Sequence, residues 1–296
     1  MGPPSSGGST VGEALNILEA LPRTADRTTV LHRYLEASKL AYADRNAFVA
    51  DPDAPGIDVP LRGLLSDAFA RERSELISDT STLPTPQAAG DPTRYDHGHK
   101  PGNEEKAKST THLTVADRWG NVVSYTFTIE QIGGNGMVVP GRGFLLNNEL
   151  TDFNFVPGTA NSPDGGKRPR SSMAPTIVFK HGRPEVALGS PGGATIITSV
   201  LQTLVNYVDF GQSLPDAVAA PRASQRNSEP TPAEPAFIAR DGPALTALGH
   251  SFSVATPNPP AEIGAVEAIR FLPGGRQQAV AEPTRRGGGH AAVVRP

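Results

Sequence analysis

Apolar residues recur with a helical period over the first part of the chain and with a strand period further on, and the change divides the sequence. Ala14, Leu15, Ile17, Leu18 and Leu21 line one face of a predicted helix that Ser9 or Thr10 caps and Pro22 ends. Val30, Leu31, Tyr34, Leu35, Ala37, Leu40 and Ala41 repeat that period behind Thr28 or Thr29, and a third helical stretch covers 64–77. Over 78–108 periodicity fades among Pro, Gly, Asp and Thr, the composition of an exposed linker.

From Thr111 the period becomes two. Leu113 and Val115 alternate with polar residues, the cluster 117–121 turns the chain, and 122–128 returns, which predicts a hairpin. A second hairpin is predicted where 176–179 meets 185–188 across His181, Gly182, Arg183 and Pro184. Gly189, Ser190, Pro191, Gly192 and Gly193 then launch a helix carrying Ile196, Ile197, Val200, Leu201, Leu204 and Val205, with Gly211 beyond its end. A short helix over 243–248 and a strand over 265–271 complete the pattern: sheets covered by helices, with no internal repeat.

The 296 residues are 37% hydrophobic, enough for one large domain or two small ones. A net charge of -3 provides no broad basic field, so neither nucleic acid nor an anionic membrane is an expected partner. The absence of cysteine excludes disulfides, thiolate catalysis and cysteine metal sites together. No apolar run approaches the roughly 20 residues of a spanning helix, and the first residues lack the basic and apolar regions of a signal peptide, so the chain reads as soluble.

Candidate chemistry gathers at hydroxyls, paired acids and glycines. Cleavage of the Ser109–Thr110 bond would give one residue both a nucleophilic hydroxyl and a free amine to take its proton; the plain alternative is a β-forming threonine at a strand start. Glu149 and Asp152, three apart in a polar segment, can converge on an ammonium group or simply occupy a solvated turn. Ser171 and Ser172 suit a turn or an anion site, and Gly192 and Gly193 at a helix start suit either an oxyanion or a change of chain direction. Ser190 lacks the spacing of a hydrolase elbow, Gly165-Gly166-Lys167 is too short for a phosphate loop, and His97 and His99 lack a third metal ligand.

Taken in order, Thr110-Thr111-His112, Leu146-Asn147-Asn148-Glu149 with Asp152-Phe153, the run 168–176 and the run 189–193 closely resemble the γ-glutamyltranspeptidase family of N-terminal-nucleophile hydrolases. Pro3-Pro4-Ser5-Ser6-Gly7-Gly8, Leu15-Asn16-Ile17-Leu18-Glu19 and Ala41-Tyr42-Ala43-Asp44-Arg45 extend the likeness through almost the whole chain. The resemblance implies an α+β fold, a four-layer αββα sandwich, here incomplete because the N-terminal half of the large subunit is missing. Residues 1–109 would be the tail of the large subunit with its linker, and 110–296 the small catalytic subunit of a heterodimer formed by self-cleavage.

The resemblance also implies roles. Thr110 would be the nucleophile, with Thr111 its rival, its amine the general base and Thr128 its positioning partner. Glu149 and Asp152 would bind the α-ammonium of a γ-glutamyl donor such as glutathione, Ser171 and Ser172 its α-carboxylate, and the amides of Gly192 and Gly193 the oxyanion. Water or an amino-acid or peptide amine would accept the acyl group, with no metal or organic cofactor. Glu130 stands where many members have asparagine, which alters charge near the α-ammonium, and 153–170 is a short covering loop without tyrosine, which opens the site. A periplasmic or secreted location is the family's habit in bacteria. Two other readings stay open: an inactive or complementation-dependent fragment, and an acylase acting on poly-γ-glutamate or a cephalosporin side-chain amide.

Overall fold

The computed structural model describes residues 1–96, 110–256 and 261–294. Helix α1 (Gly7–Ala20) starts before the expected Ser9 or Thr10 because docking, not capping, sets its first turn. A Cβ on Gly7 would come 2.1 Å from the Met173 carbonyl oxygen, and the Ser6 hydroxyl donates to the Ser171 carbonyl at 2.8 Å. Helix α2 (Arg27–Phe48) is capped one turn ahead of the predicted threonines: the Asp26 carboxylate accepts the Thr29 N–H at 2.8 Å. The single helix expected over 64–77 is two, α3 (Leu61–Leu64) and α4 (Asp67–Ser74), because Ser66 accepts the Phe69 N–H and starts a new helix.

The part of the expected linker that is described, 78–96, is tied down more than its composition suggests. Glu36 accepts from the Leu83 N–H and the Thr82 hydroxyl, Asp79 pairs with Arg33, and Asp44 accepts the Gly90 N–H. Buried carboxylates of α2 thus satisfy the backbone of an aperiodic segment.

Strands β1 (Thr111–Ala116) and β2 (Val122–Phe127) form the predicted hairpin, with His112 opposite Thr126. Strands β3 (Thr176–Lys180) and β4 (Arg183–Gly189) form the second, with a tighter turn than the sequence suggested: His181 and Gly182 take φ of 51° and 74°, the left-handed pair that fits a twisted two-residue hairpin. Helix α5 (Thr195–Val208) follows, then α6 (Leu214–Ala219), β5 (Thr231–Ala233), α7 (Pro235–Ala247) and β6 (Phe252–Val254), which pairs parallel with β5. α7 replaces the short helix expected over 243–248. Pro243 lies inside it, and burial of Phe237 and Leu245 against the core offsets the lost hydrogen bond. Strands β7 (Glu267–Phe271) and β8 (Gln277–Val280) complete an antiparallel sheet of order β3-β4-β7-β8.

The fold is α+β. One sheet face carries α1 and α5, and between them lie Val11, Val186, Leu188, Ile197, Val200, Val266 and Ala268. A second cluster joins α2, α5 and α7 through Leu31, Tyr34, Leu35, Leu201, Val205 and Phe237. The other sheet face carries the β1–β2 hairpin: the Ser124 hydroxyl donates to the Leu188 carbonyl at 3.0 Å, and the His112 ring lies so close to Gly189 that a Cβ there would be 2.3 Å from it. Helices, sheet and hairpin supply three of the four expected layers; among the described residues no helix covers the outer face of the hairpin. No helix among them is long and apolar enough to cross a membrane.

Candidate active site

The site begins where β1 starts. Thr110 precedes the strand, and its Oγ lies 2.6 Å from the Oγ of Thr128, just past the end of β2. Thr128 Oγ also accepts the Glu130 N–H at 3.0 Å, so one of its lone pairs is occupied while its hydrogen and second lone pair stay available to the Thr110 hydroxyl, and either threonine can donate across the pair. Glu130 takes φ of 75°, an uncommon conformation for a side-chain-bearing residue, and its carboxylate accepts from Asn148 Nδ2 at 2.6 Å. That bond joins the Thr128 turn to the Glu149–Asp152 helical turn.

Two residues on from Thr110, His112 is buried with both ring nitrogens engaged, by the Thr126 hydroxyl at 2.8 Å and the Thr114 hydroxyl at 3.0 Å. Burial pushes its pKa down to about 4, so it stays neutral at physiological pH, packed against Gly189 at the end of β4.

The acidic pair connects to the serine pair through one asparagine. Asn161 is fully buried; its Nδ2 donates to the Asp152 carbonyl at 2.8 Å and its Oδ1 accepts the Arg170 N–H at 2.9 Å. The Arg170 guanidinium donates to the Arg45 and Val49 carbonyls at the end of α2. Burial, then the nearby Arg45 charge, pulls its pKa down to about 8. Arg168 pairs with Asp51 and Asp53, so the run leading to Ser171 and Ser172 is clamped from both sides. Both serines are buried.

Gly192 and Gly193 have φ of 142° and 56°, and their carbonyls accept from Thr195 and Ile196, which commits those oxygens to the start of α5. Their amides lie at the N-terminal end of that 14-residue helix, where negative charge is favoured. The Tyr42 hydroxyl donates to the Ala194 carbonyl and fixes this turn to α2. Ser109, His97 and His99 lie outside the described residues. Tyr42, Arg45, Asn148 and Asn161, which join the expected site residues, carried no local signal; only membership of motif runs marked the first three.

A metal could be held only by displacing existing bonds at the one cluster with suitable donors among the described residues, His32, Glu36 and His250, whose ligand atoms lie within 4.8 Å of one another. His32 contacts His250 at 2.7 Å and the Ser78 carbonyl at 2.6 Å, while Glu36 pairs with buried Lys39 at 3.0 Å. The cluster is a self-satisfied polar knot under α2.

The family described as Gamma-glutamyltranspeptidase matches residues 1–292. The glutathione hydrolase proenzyme of Bacillus subtilis strain 168 is 41% identical over 301 aligned positions, covering 96% of this chain and 49% of the relative. Among solved structures, a cephalosporin acylase from Bacillus halodurans matches with a TM-score of 0.84 at 29% identity, over 100% of this chain and 51% of its own. A mutant γ-glutamyltranspeptidase from Pseudomonas nitroreducens matches with a TM-score of 0.55 at 35% identity, over 63% of this chain and 100% of its own. The chain thus spans about half the length of the curated relative it matches.

Proposed function

Because the chain belongs to the γ-glutamyltranspeptidase family, we propose that it carries the catalytic half of a γ-glutamyl hydrolase and transferase that acts on glutathione and related γ-glutamyl amides. Self-cleavage before Thr110 frees the amine that serves as base. The stretch from 110 to the end is about the share of this chain that the whole Pseudomonas nitroreducens chain matches, which supports a cut there. The two products would stay together as a heterodimer.

Thr110 Oγ attacks the γ-carbonyl and passes its proton to its own amine, while Thr128 holds the attacking oxygen. Gly192 and Gly193 amides stabilise the tetrahedral oxyanion, a contact type worth about 3 to 4 kcal/mol of barrier. The amine returns the proton to the leaving nitrogen and a γ-glutamyl ester of Thr110 forms. Water then gives glutamate, or an amino-acid or peptide amine gives a new γ-glutamyl amide, and either regenerates Thr110. Glu149 and Asp152 hold the α-ammonium and Ser171 and Ser172 the α-carboxylate, with Glu130 adding negative charge on the ammonium side.

The observation that carries this reading is the 2.6 Å contact between the Thr110 and Thr128 hydroxyls, with Glu130 donating to the latter. The likeness to a cephalosporin acylase favours one second reading, hydrolysis of a cephalosporin side-chain amide on the same threonine. Release of 4-nitroaniline from its γ-glutamyl derivative, measured beside hydrolysis of a cephalosporin side-chain amide, tests both. Turnover of the anilide that Thr110→Ala abolishes supports the first; turnover of the cephalosporin alone replaces it with the second.

A further inference from the structure

Arg45 is an arginine of α2, 127 positions before the serine it touches. Its Nη2–H donates to Ser172 Oγ at 2.9 Å, its Nε–H donates to Ser6 Oγ at 2.7 Å, and Ser6 in turn donates to the Ser171 carbonyl at 2.8 Å. One guanidinium therefore holds both members of the serine pair, one by its hydroxyl and the other by its main chain. The ring of Tyr42, one turn back, lies 5.4 Å from the guanidinium carbon and fixes its plane.

This wiring sets the polarity of the serine hydroxyls. A hydroxyl oxygen that accepts from an N–H behind it has its own hydrogen left to give. Ser172 accepts from Arg45, and Ser171 Oγ accepts the Met173 N–H at 3.2 Å, so each has a lone pair occupied from behind and keeps its hydrogen to give to a ligand. Arg45 is only 7% exposed and Ser172 8%, so the positive charge behind them is weakly screened by water.

Resting on the function proposed above, we infer that Arg45 is the positioning residue that makes this subsite demand a carboxylate: it turns the Ser172 hydroxyl outward as a donor and supplies the positive charge that a neutral amide cannot use. It acts through the serines and does not itself touch substrate. Lysine, a point charge with one nitrogen, cannot span Ser6 and Ser172 together, so Arg45→Lys keeps the charge but loses the fork.

The test compares two donors in the intact protein: γ-glutamyl-4-nitroanilide and its counterpart with the α-carboxylate converted to a carboxamide. In wild type, kcat/KM favours the carboxylate. In Arg45→Met that preference falls at least tenfold, chiefly through KM, and in Arg45→Lys it falls by a smaller factor; thermal melts identify any variant that has not folded, and Arg45→Lys decides the matter if Arg45→Met is one. Equal losses on both donors, the mark of a merely structural arginine, overturn the inference while leaving the γ-glutamyl reading intact. Wild type that turns over neither donor overturns that reading and the inference with it.

Discussion

Helix α2 and the β1–β2 hairpin flank the same site and are built on opposite terms. In α2 every residue from Val30 to Arg45 is buried, and four of the charges on and around it pair inside the molecule, Glu36 with Lys39 and Asp44 with Arg73. The hairpin buries its polar side: His112 and Thr126 face the sheet, while Val115, Val123 and Tyr125 are 54%, 51% and 43% exposed. The wall that holds Ser171, Ser172 and the glycine turn is thus completed by this chain, whereas the strand pair that delivers Thr110 is held on one face. Rigidity of the serine and glycine wall and of Thr110 therefore have separate sources.

The largest expected effect that sharpens this contrast is in α2. Leu35→Ala empties a fully buried site and costs about 4 kcal/mol in denaturant unfolding; a cost near that of a surface change would mean α2 is not the anchor. Next comes pH. The folded His112 resists protonation down to about 4 whereas an unfolded histidine binds a proton near 6.5, so stability is lost as pH falls through that window, on the order of 3 kcal/mol from this residue. Burial lowers His250 to about 3 and adds to the same slope, so His112→Gln should reduce the loss between pH 7 and pH 4 without removing it. An unchanged slope would separate His112 from the folding of the hairpin.

A smaller effect is expected at Tyr42. Tyr42→Phe removes the bond to the Ala194 carbonyl and costs about 1 kcal/mol of stability, and because that bond holds the glycine turn, kcat should fall alike on carboxylate and carboxamide donors, unlike the split predicted for Arg45. The smallest effect is on the outer hairpin face: Val123→Thr should change stability by no more than about 0.5 kcal/mol. A loss of several kcal/mol would show that this face is covered in solution.

Much of this was legible in the letters. The periods of α1, α2 and α5 fixed the helices because their apolar stripes face a real core, and the alternation around Leu113 and Tyr125 fixed the hairpin, whose register the structure adds. Alternation assigns residues to two faces without saying which face is inward. Here the polar set turned inward, since His112 packs on Gly189 and Ser124 bonds the Leu188 carbonyl. Local rules also misplaced the start of α2, where Asp26 outcompeted two threonines, and cut α7 short at Pro243. The motif runs named the candidate site residues, but the tie from Arg45 to Ser172 depends on tertiary approach that no window of sequence contains, and those from Asn161 to Asp152 and Arg170, nine positions to either side, run through an aperiodic loop with no pattern to mark them.

The central claim is that Thr110 becomes a free N-terminal nucleophile, and the mass of the purified protein after incubation tests it most directly. The account predicts two fragments, the smaller beginning at Thr110, and a single uncut chain for Thr110→Ala. Cleavage at another bond, or an uncut wild type that still hydrolyses a γ-glutamyl anilide, would contradict it.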